Sequence, residues 1–296
     1  FIAPTLTHSQ VPDYLGLFWY LLIVTLGMLW VAFVAEWGEI TLVALIGVLL
    51  YSMPHLVGFH EVGQQTLLMF AYTFVALFFV AALVGFLKTK EGQNAVDVVT
   101  TALNGFFLLS WIWIAVPSPM HSMVFSAWAL IFVGGAIGVH MFTKRLDALY
   151  TFAGVGVVLI AAATAAQFHG ATLTIAFSIE SAVVSICAYA VSRKIEPARI
   201  AALLLLVPAA LSIQSVISSA WSIGAINQDF FVLLILGGVF MFLGAFFSQV
   251  PEKAEARDLY VFFYVAGSFY WYLLLWLSLH AGGAVQDTAT FYALVV

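Results

Sequence analysis

Apolar residues run along this chain in long blocks separated by short polar connections. A helix needs roughly 20 apolar residues to cross the hydrocarbon core of a bilayer. Ten blocks approach that length, at about 15–35, 40–56, 67–87, 98–116, 123–142, 148–167, 172–191, 200–220, 230–248 and 259–280. The second is shortened by Pro54 and His55. The alternation of apolar and polar positions that marks a membrane β-barrel is lacking. The pattern therefore predicts an all-α polytopic transmembrane bundle of about ten spanning helices, one transmembrane domain over 1–296. Connections of about 3 to 11 residues make consecutive helices antiparallel neighbours. The chain opens on Phe1 and stops inside an apolar run, Tyr292 to Val296, as a window of a longer membrane protein would.

Charge orients the spans. Lys88 and Lys90 follow the third block, Lys144 and Arg145 the fifth, Arg193, Lys194 and Arg199 the seventh, and Lys253 and Arg257 the ninth. Bases are retained on the cytoplasmic side. This parity requires the second span and places the loops of Lys88, Lys144, Arg193 and Lys253 in the cytoplasm. The inner loops also carry acids, Glu36, Glu39 and Asp97 among them. With 64% hydrophobic and 8% charged residues, no stretch is left to build a soluble domain. The single cysteine, Cys187, excludes a disulfide within the chain, and no polybasic segment suggests nucleic acid.

Glu180 is the acid that falls inside a span, at mid-depth of the seventh. A carboxylate there costs about 2.5 to 3.5 kcal/mol on insertion scales, so it faces the bundle, pairs with a donor or carries a proton. The expected donor is Gln214 on the eighth span, about 9 Å from the outer boundary against about 12 Å for Glu180. The hydroxyls of Ser178 and Ser181 are close by. Thr174, Ser178, Ser181 and Ser185 form one stripe on this helix, which is expected to pack against protein. Glu180 is either a residue that couples protons or binds a head group, or a protonated clamp between helices.

Gly134 and Gly138 are spaced as a small-xxx-small pair, the signature of a close helix crossing. Pro208 is expected to kink the eighth span, freeing carbonyls beside a cavity or serving packing alone. Six histidines (His8, His55, His60, His121, His169 and His280) fall on the outer side, and His140 lies near the inner end of the fifth span. Their spacing marks no metal site, and no cofactor is expected. Tyr260, Tyr264, Tyr270, Trp271, Tyr272 and Trp276 on the last span fit an interfacial belt or a groove for an acyl or isoprenoid chain.

The stretch Gly170-Ala-Thr-Leu-Thr-Ile-Ala-Phe-Ser-Ile-Glu180-Ser-Ala182 resembles a motif of a bacterial membrane protein family numbered 2339 among the domains of unknown function. Members read Trp-x-x-Glu-Gly-Ala there; here Phe177 replaces the Trp and Ser181 the Gly. Arg193-Lys194 and Ile226-Asn227-Gln-Asp-Phe230 are similar to its following blocks, so the resemblance is carried by residues 150 to 245. It implies a longer protein in the bacterial cytoplasmic (inner) membrane and points to Glu180, without an established activity.

Three functions stay open at this point. One is transport or flipping of an amphiphilic or lipid-linked substrate past Glu180, Gln214 and the Pro208 kink. Another is a structural or interaction subunit, contacting other membrane subunits of an envelope assembly. The third is a membrane-embedded transferase at the outer face using Glu61, His60 and His121. Enzymatic chemistry has no motif in its favour. The lipid bilayer is the partner common to all three.

Overall fold

The structure, a computed structural model, describes residues 14–57, 64–88, 95–251 and 253–281. Every regular element among them is helical. The helices are α1 (Tyr14–Ala35), α2 (Gly38–Val57), α3 (Gln64–Lys88), α4 (Ala95–Ala115), α5 (His121–Thr143), α6 (Leu146–Gln167), α7 (Gly170–Ser192), α8 (Ile195–Ala202), α9 (Leu206–Val216), α10 (Gln228–Ser248) and α11 (Lys253–Ala281). A 3-10 turn, Leu203–Leu205, joins α8 to α9. Counting α8 to α9 as one segment, nine stretches among the described residues are long and apolar enough to cross a membrane, and α2 adds a shorter apolar one, Gly38–Met53. The predicted rhythm of spans and the all-helical bundle are both present.

Exposure is inverted relative to a water-soluble protein. Leu130 is 73% and Phe142 86% exposed, whereas Thr25, Ser52, Asn104, Ser178 and Ser185 are fully buried. Apolar side chains can face outward at no cost when the surrounding solvent is hydrocarbon, and polar groups must then find partners inside. These helices are made to contact a lipid bilayer.

The chain divides into two compact units, Phe1–Ala166 and Gln167–Val296. In the first, α4 packs on α3 and α2, and α1 packs on α2 and α3. Aromatic rings fill the interior: Phe18 meets Trp111 edge-on at 6.2 Å, and Phe79 lies between Phe132 and Phe152 at 5.1 and 5.3 Å. In the second unit, α10 and α11 form the most extensive pair, and α7 packs on α8, α9 and α10. The α10–α11 crossing is close because Gly267 has no side chain. A Cβ there would fall 3.0 Å from the backbone nitrogen of Met241 and 3.1 Å from the carbonyl of Gly237.

Three helix-to-helix turns repeat one backbone shape. Glu36, Lys144 and Arg193 follow α1, α5 and α7 with φ of 57°, 57° and 54°. A left-handed residue just past a helix lets its N–H close the last turn, and glycine is the usual occupant because other residues pay about 1–2 kcal/mol there. The N–H of Lys144 bonds the His140 carbonyl at 2.8 Å, and that of Arg193 the Tyr189 carbonyl at 2.7 Å. Thr143 and Ser192, one residue earlier, each accept the N–H of the residue two positions on, Arg145 and Lys194. An acid then occupies the second position of the next helix, as Glu39, Asp147 or Glu196. That is the end where the helix dipole favours negative charge.

Several expectations require correction. Gly134 and Gly138 mark no seam among the described residues, since a Cβ on either meets nothing within 4 Å. The close approaches are at Gly135, under the Phe79 ring, and at Gly156, against Val133. One residue of rotation moves a helix position by about 100°, which spacing alone does not resolve. The eighth span runs Ile195–Val216 rather than 200–220, so Arg199 lies within α8, 3.6 Å from Glu196. Pro208 falls one turn after the 3-10 segment, where its missing N–H leaves the Leu204 carbonyl without the usual helical donor. Asp97 belongs to the first turn of α4, not to a loop, and is only 8% exposed.

Candidate functional site

The sequence of α3 places Ala76, Val80, Ala81, Val84 and Gly85 on one side of the helix in its last three turns. These side chains are short. On α1, Leu26, Leu29, Trp30 and Phe33 recur at helical spacing. The two helices touch through Phe18 and Phe70, with ring centres 5.8 Å apart, and through Trp19 and Phe70 at 5.1 Å. They meet again where Lys88 Nζ donates to the Phe33 carbonyl at 3.1 Å, with the ammonium 3.7 Å from the centre of the Phe33 ring. Between these contacts, where the α3 side chains are too short to reach α1, lies a partly open groove of about 890 Å³.

The groove is apolar along its body and charged at one end. Leu26, Leu29, Leu77, Val80 and Ala81 line the body, and Glu36, Lys88 and Asp97 gather at the end, with Gly38 and Thr41 of α2. It runs from Leu26 to Glu36 along α1 and from Thr73 to Lys88 along α3, so its length is roughly 15 to 22 Å at about 1.5 Å per residue step. That is more than half of a ~30 Å hydrocarbon core. Pockets of this volume take drug-sized molecules. The charged end is anchored by cations capping helix C-termini. Lys88 bonds a last-turn carbonyl of α1, and Arg145, 7% exposed, donates to the Phe86 carbonyl of α3 at 2.8 Å. Arg145 is held in turn by Asp147 at 2.9 Å.

Behind the groove, α4 presents a polar stripe to the interior. Asp97, Thr100, Thr101 and Asn104 are all more than 90% buried. Asn104 donates to the Val75 carbonyl of α3 at 3.0 Å, and Thr101 to the Asp97 carbonyl at 2.8 Å. The Thr100 hydroxyl and the Asn104 amide oxygen have no hydrogen-bond partner among the described residues. Asp97 lies so close to Gly85 that a Cβ on the glycine would come within 2.3 Å of its carboxylate oxygen. A side chain at 85 would have to displace the Asp97 carboxylate from this position.

The substrate or proton candidates singled out from the sequence, Glu180, Gln214, Ser178 and Ser181, lie in the second unit. Ser178 and Ser181 are buried on α7 with Thr174 and Ser185, so the stripe does pack against protein. Ser178 donates to the Thr174 carbonyl at 2.7 Å and Ser185 to the Ser181 carbonyl at 2.9 Å. The proton of Ser178 is therefore spent on its own helix and not on Glu180. Glu180 itself is half-buried beside the stripe and is engaged by other groups. Gln214 is exposed on α9, and its amide makes no hydrogen bond among the described residues. The expected Glu180–Gln214 pair is not formed. The buried face of α9 carries Ser212 and Ser215 instead, and Ser212 meets the Tyr270 hydroxyl at 3.0 Å.

Of the histidines, His121 stacks on Trp113 at 5.5 Å and its Nε2 is 2.7 Å from the Val116 carbonyl. It closes the end of α4. His8, His60 and Glu61 lie outside the described residues, as does the side chain of His55. No group of three or more His, Cys, Asp or Glu that could hold a metal ion occurs among the described residues. On the aromatic helix α11, Tyr270 stacks on Phe240 at 5.6 Å, while Trp271, Tyr272 and Trp276 face outward.

The groove residues were not singled out from the sequence. One signal was available: Glu36-Trp37-Gly38-Glu39 carries two acids and no base, whereas the other four connections of the same parity all carry Lys or Arg. The Asn227 block, noted as a family likeness, has a local physical role. The Asn227 side chain accepts the Phe230 N–H at 2.9 Å and caps α10. Compared with family models, curated proteins and solved structures, the chain matches none.

Proposed function

We propose that this integral membrane protein transports or flips an amphiphilic or lipid-linked substrate, which it holds in the α1–α3 groove. The observation that carries the reading is the joining of a long apolar channel to a charged end in one cavity. An acyl or isoprenoid chain fills the apolar body, and the head group rests among Glu36, Lys88 and Asp97. Burying the chain supplies about 0.8 kcal/mol per methylene relative to water, and little relative to lipid. Selection therefore depends on the head group, while the groove sets the depth at which it is held.

The charged end is assigned to the cytoplasmic side of a bacterial inner membrane, on the argument that bases are retained there. A cysteine at Arg257, in a Cys187→Ala background, is then protected from an impermeant external thiol reagent, and one at Met120 is labelled. The reverse pattern would invert the assignment. Membership of the family numbered 2339 rests on the Glu180 motif and is part of the proposal.

Proteoliposomes loaded with a fluorescent long-chain amphiphile test the reading. Ala81→Trp fills the groove and should abolish protein-dependent exchange between leaflets, whereas Gln214→Ala should leave it intact. Unchanged exchange in Ala81→Trp would sink the groove as the route. A second reading, a structural or interaction subunit, is favoured by the serine stripe of α7, where the Ser178 and Ser185 hydroxyls bond their own helix and so serve packing. It expects no protein-dependent exchange at all. The transferase reading loses support because His121 is occupied by Val116 and Trp113.

A further inference from the structure

The turn at the groove's charged end is one of three with the same backbone, and it differs from the other two in charge. Lys144 and Arg193 place a cation at the left-handed position, and each is followed by a second base, Arg145 or Lys194. At the same position after α1 stands Glu36, followed by Trp37. Nothing in the backbone requires this, since glutamate, lysine and arginine are alike in lacking glycine's freedom at positive φ. Glu36 lines the groove, is exposed, and makes no hydrogen bond or ion pair among the described residues.

The base nearby does not pair with it. Lys88 has its ammonium directed onto the Phe33 carbonyl and ring. Asp97 lies in the groove wall too, but it is buried and already engaged by other groups. The charged end thus presents one unpaired carboxylate, Glu36, to an incoming group, beside an ammonium and a buried acid that are both already engaged. An anionic head group would meet the Glu36 carboxylate as a like charge, whereas an ammonium gains a counter-charge and acceptor oxygens there.

We infer that the groove selects an amphiphile whose head group carries an amine, with Glu36 as its counter-charge. This rests on the reading of the groove as an amphiphile site. The ammonium approaches the Glu36 carboxylate at the interface, and the chain lies between α1 and α3 along Leu29, Leu77 and Ala81. Lys88 holds the end of α1 in place and so keeps the gap open.

The test uses the full chain in a nonionic detergent with two probes of equal chain length, an alkylammonium and an alkyl phosphate. Wild type should bind the ammonium probe more tightly. Glu36→Gln should weaken ammonium binding by about three- to tenfold, more than an exposed pair usually yields because the groove end is partly dry. Glu36→Lys should reverse the preference, and Ala81→Trp should block both probes. Equal binding of both probes, blocked by Ala81→Trp and indifferent to Glu36→Gln, overturns the head-group inference and leaves the groove standing. Binding that Ala81→Trp does not affect removes the groove reading itself. Because Glu36 lies in an exposed turn and Lys occupies the same backbone position after α5, both variants at 36 are compatible with the fold.

Discussion

Two buried polar stripes, one on α4 and one on α7, solve the same problem in different ways. On α7, Ser178 and Ser185 bond carbonyls one turn back on their own helix. The stripe is self-contained, and it lets neighbouring helices approach a surface of small side chains. On α4, Asn104 crosses to the Val75 carbonyl of α3, Asp97 presses on Gly85, and the Thr100 hydroxyl has no partner among the described residues. Small hydroxyls satisfied locally serve packing. A longer amide and a carboxylate that depend on another helix tie its position to theirs, beside a cavity.

The contrast can be broken by substitution, with unfolding in detergent as the measurement. The largest effect is expected at Gly85→Ala, which drives a Cβ into the Asp97 carboxylate and should cost about 1–3 kcal/mol. Gly134→Ala, facing open space, is its control and should change little. A stable Gly85→Ala would mean that Asp97 yields freely and does not fix α3. Next comes Asn104→Ala, at about 0.6 to 1.7 kcal/mol, the range for interhelical hydrogen bonds in membranes. Ser178→Ala should fall below it; equal losses would erase the distinction between the stripes.

Thr100→Val sharpens the comparison through its sign. Removing a buried hydroxyl that lacks a partner should stabilise the protein by up to about 1 kcal/mol, whereas Ser185→Ala should be neutral or slightly destabilising. Destabilisation by Thr100→Val would reveal a buried water bonded to that hydroxyl. The smallest expected effect is at Arg193→Gly, where relief of the left-handed backbone and added chain entropy nearly cancel, leaving a few tenths of a kcal/mol.

Legibility followed the same division. The α7 stripe stood out because its residues are polar within a long apolar block, and its burial needs only the helix to be inside a bundle. Asp97 was hidden because it falls at the edge of a span, where an acid is ordinarily a solvated end. Its burial depends on the absence of a side chain at Gly85. The Glu180–Gln214 pair failed for a related reason. Depth can be counted from span ends, but the facing of α9 is set by the 3-10 turn before Pro208, and that turn puts Ser212 and Ser215 inside.

What the chain determines by itself is the class and the rhythm. Long apolar blocks cannot leave their backbone groups unpaired in hydrocarbon, so they become helices, and no partner is needed to decide that. The tertiary structure alone decided which face of each helix is inside and where two helices fail to close on one another. The groove is a property of α1 and α3 together, made by short side chains on one and a touching point higher up. A gap between two surfaces is written in neither of them separately.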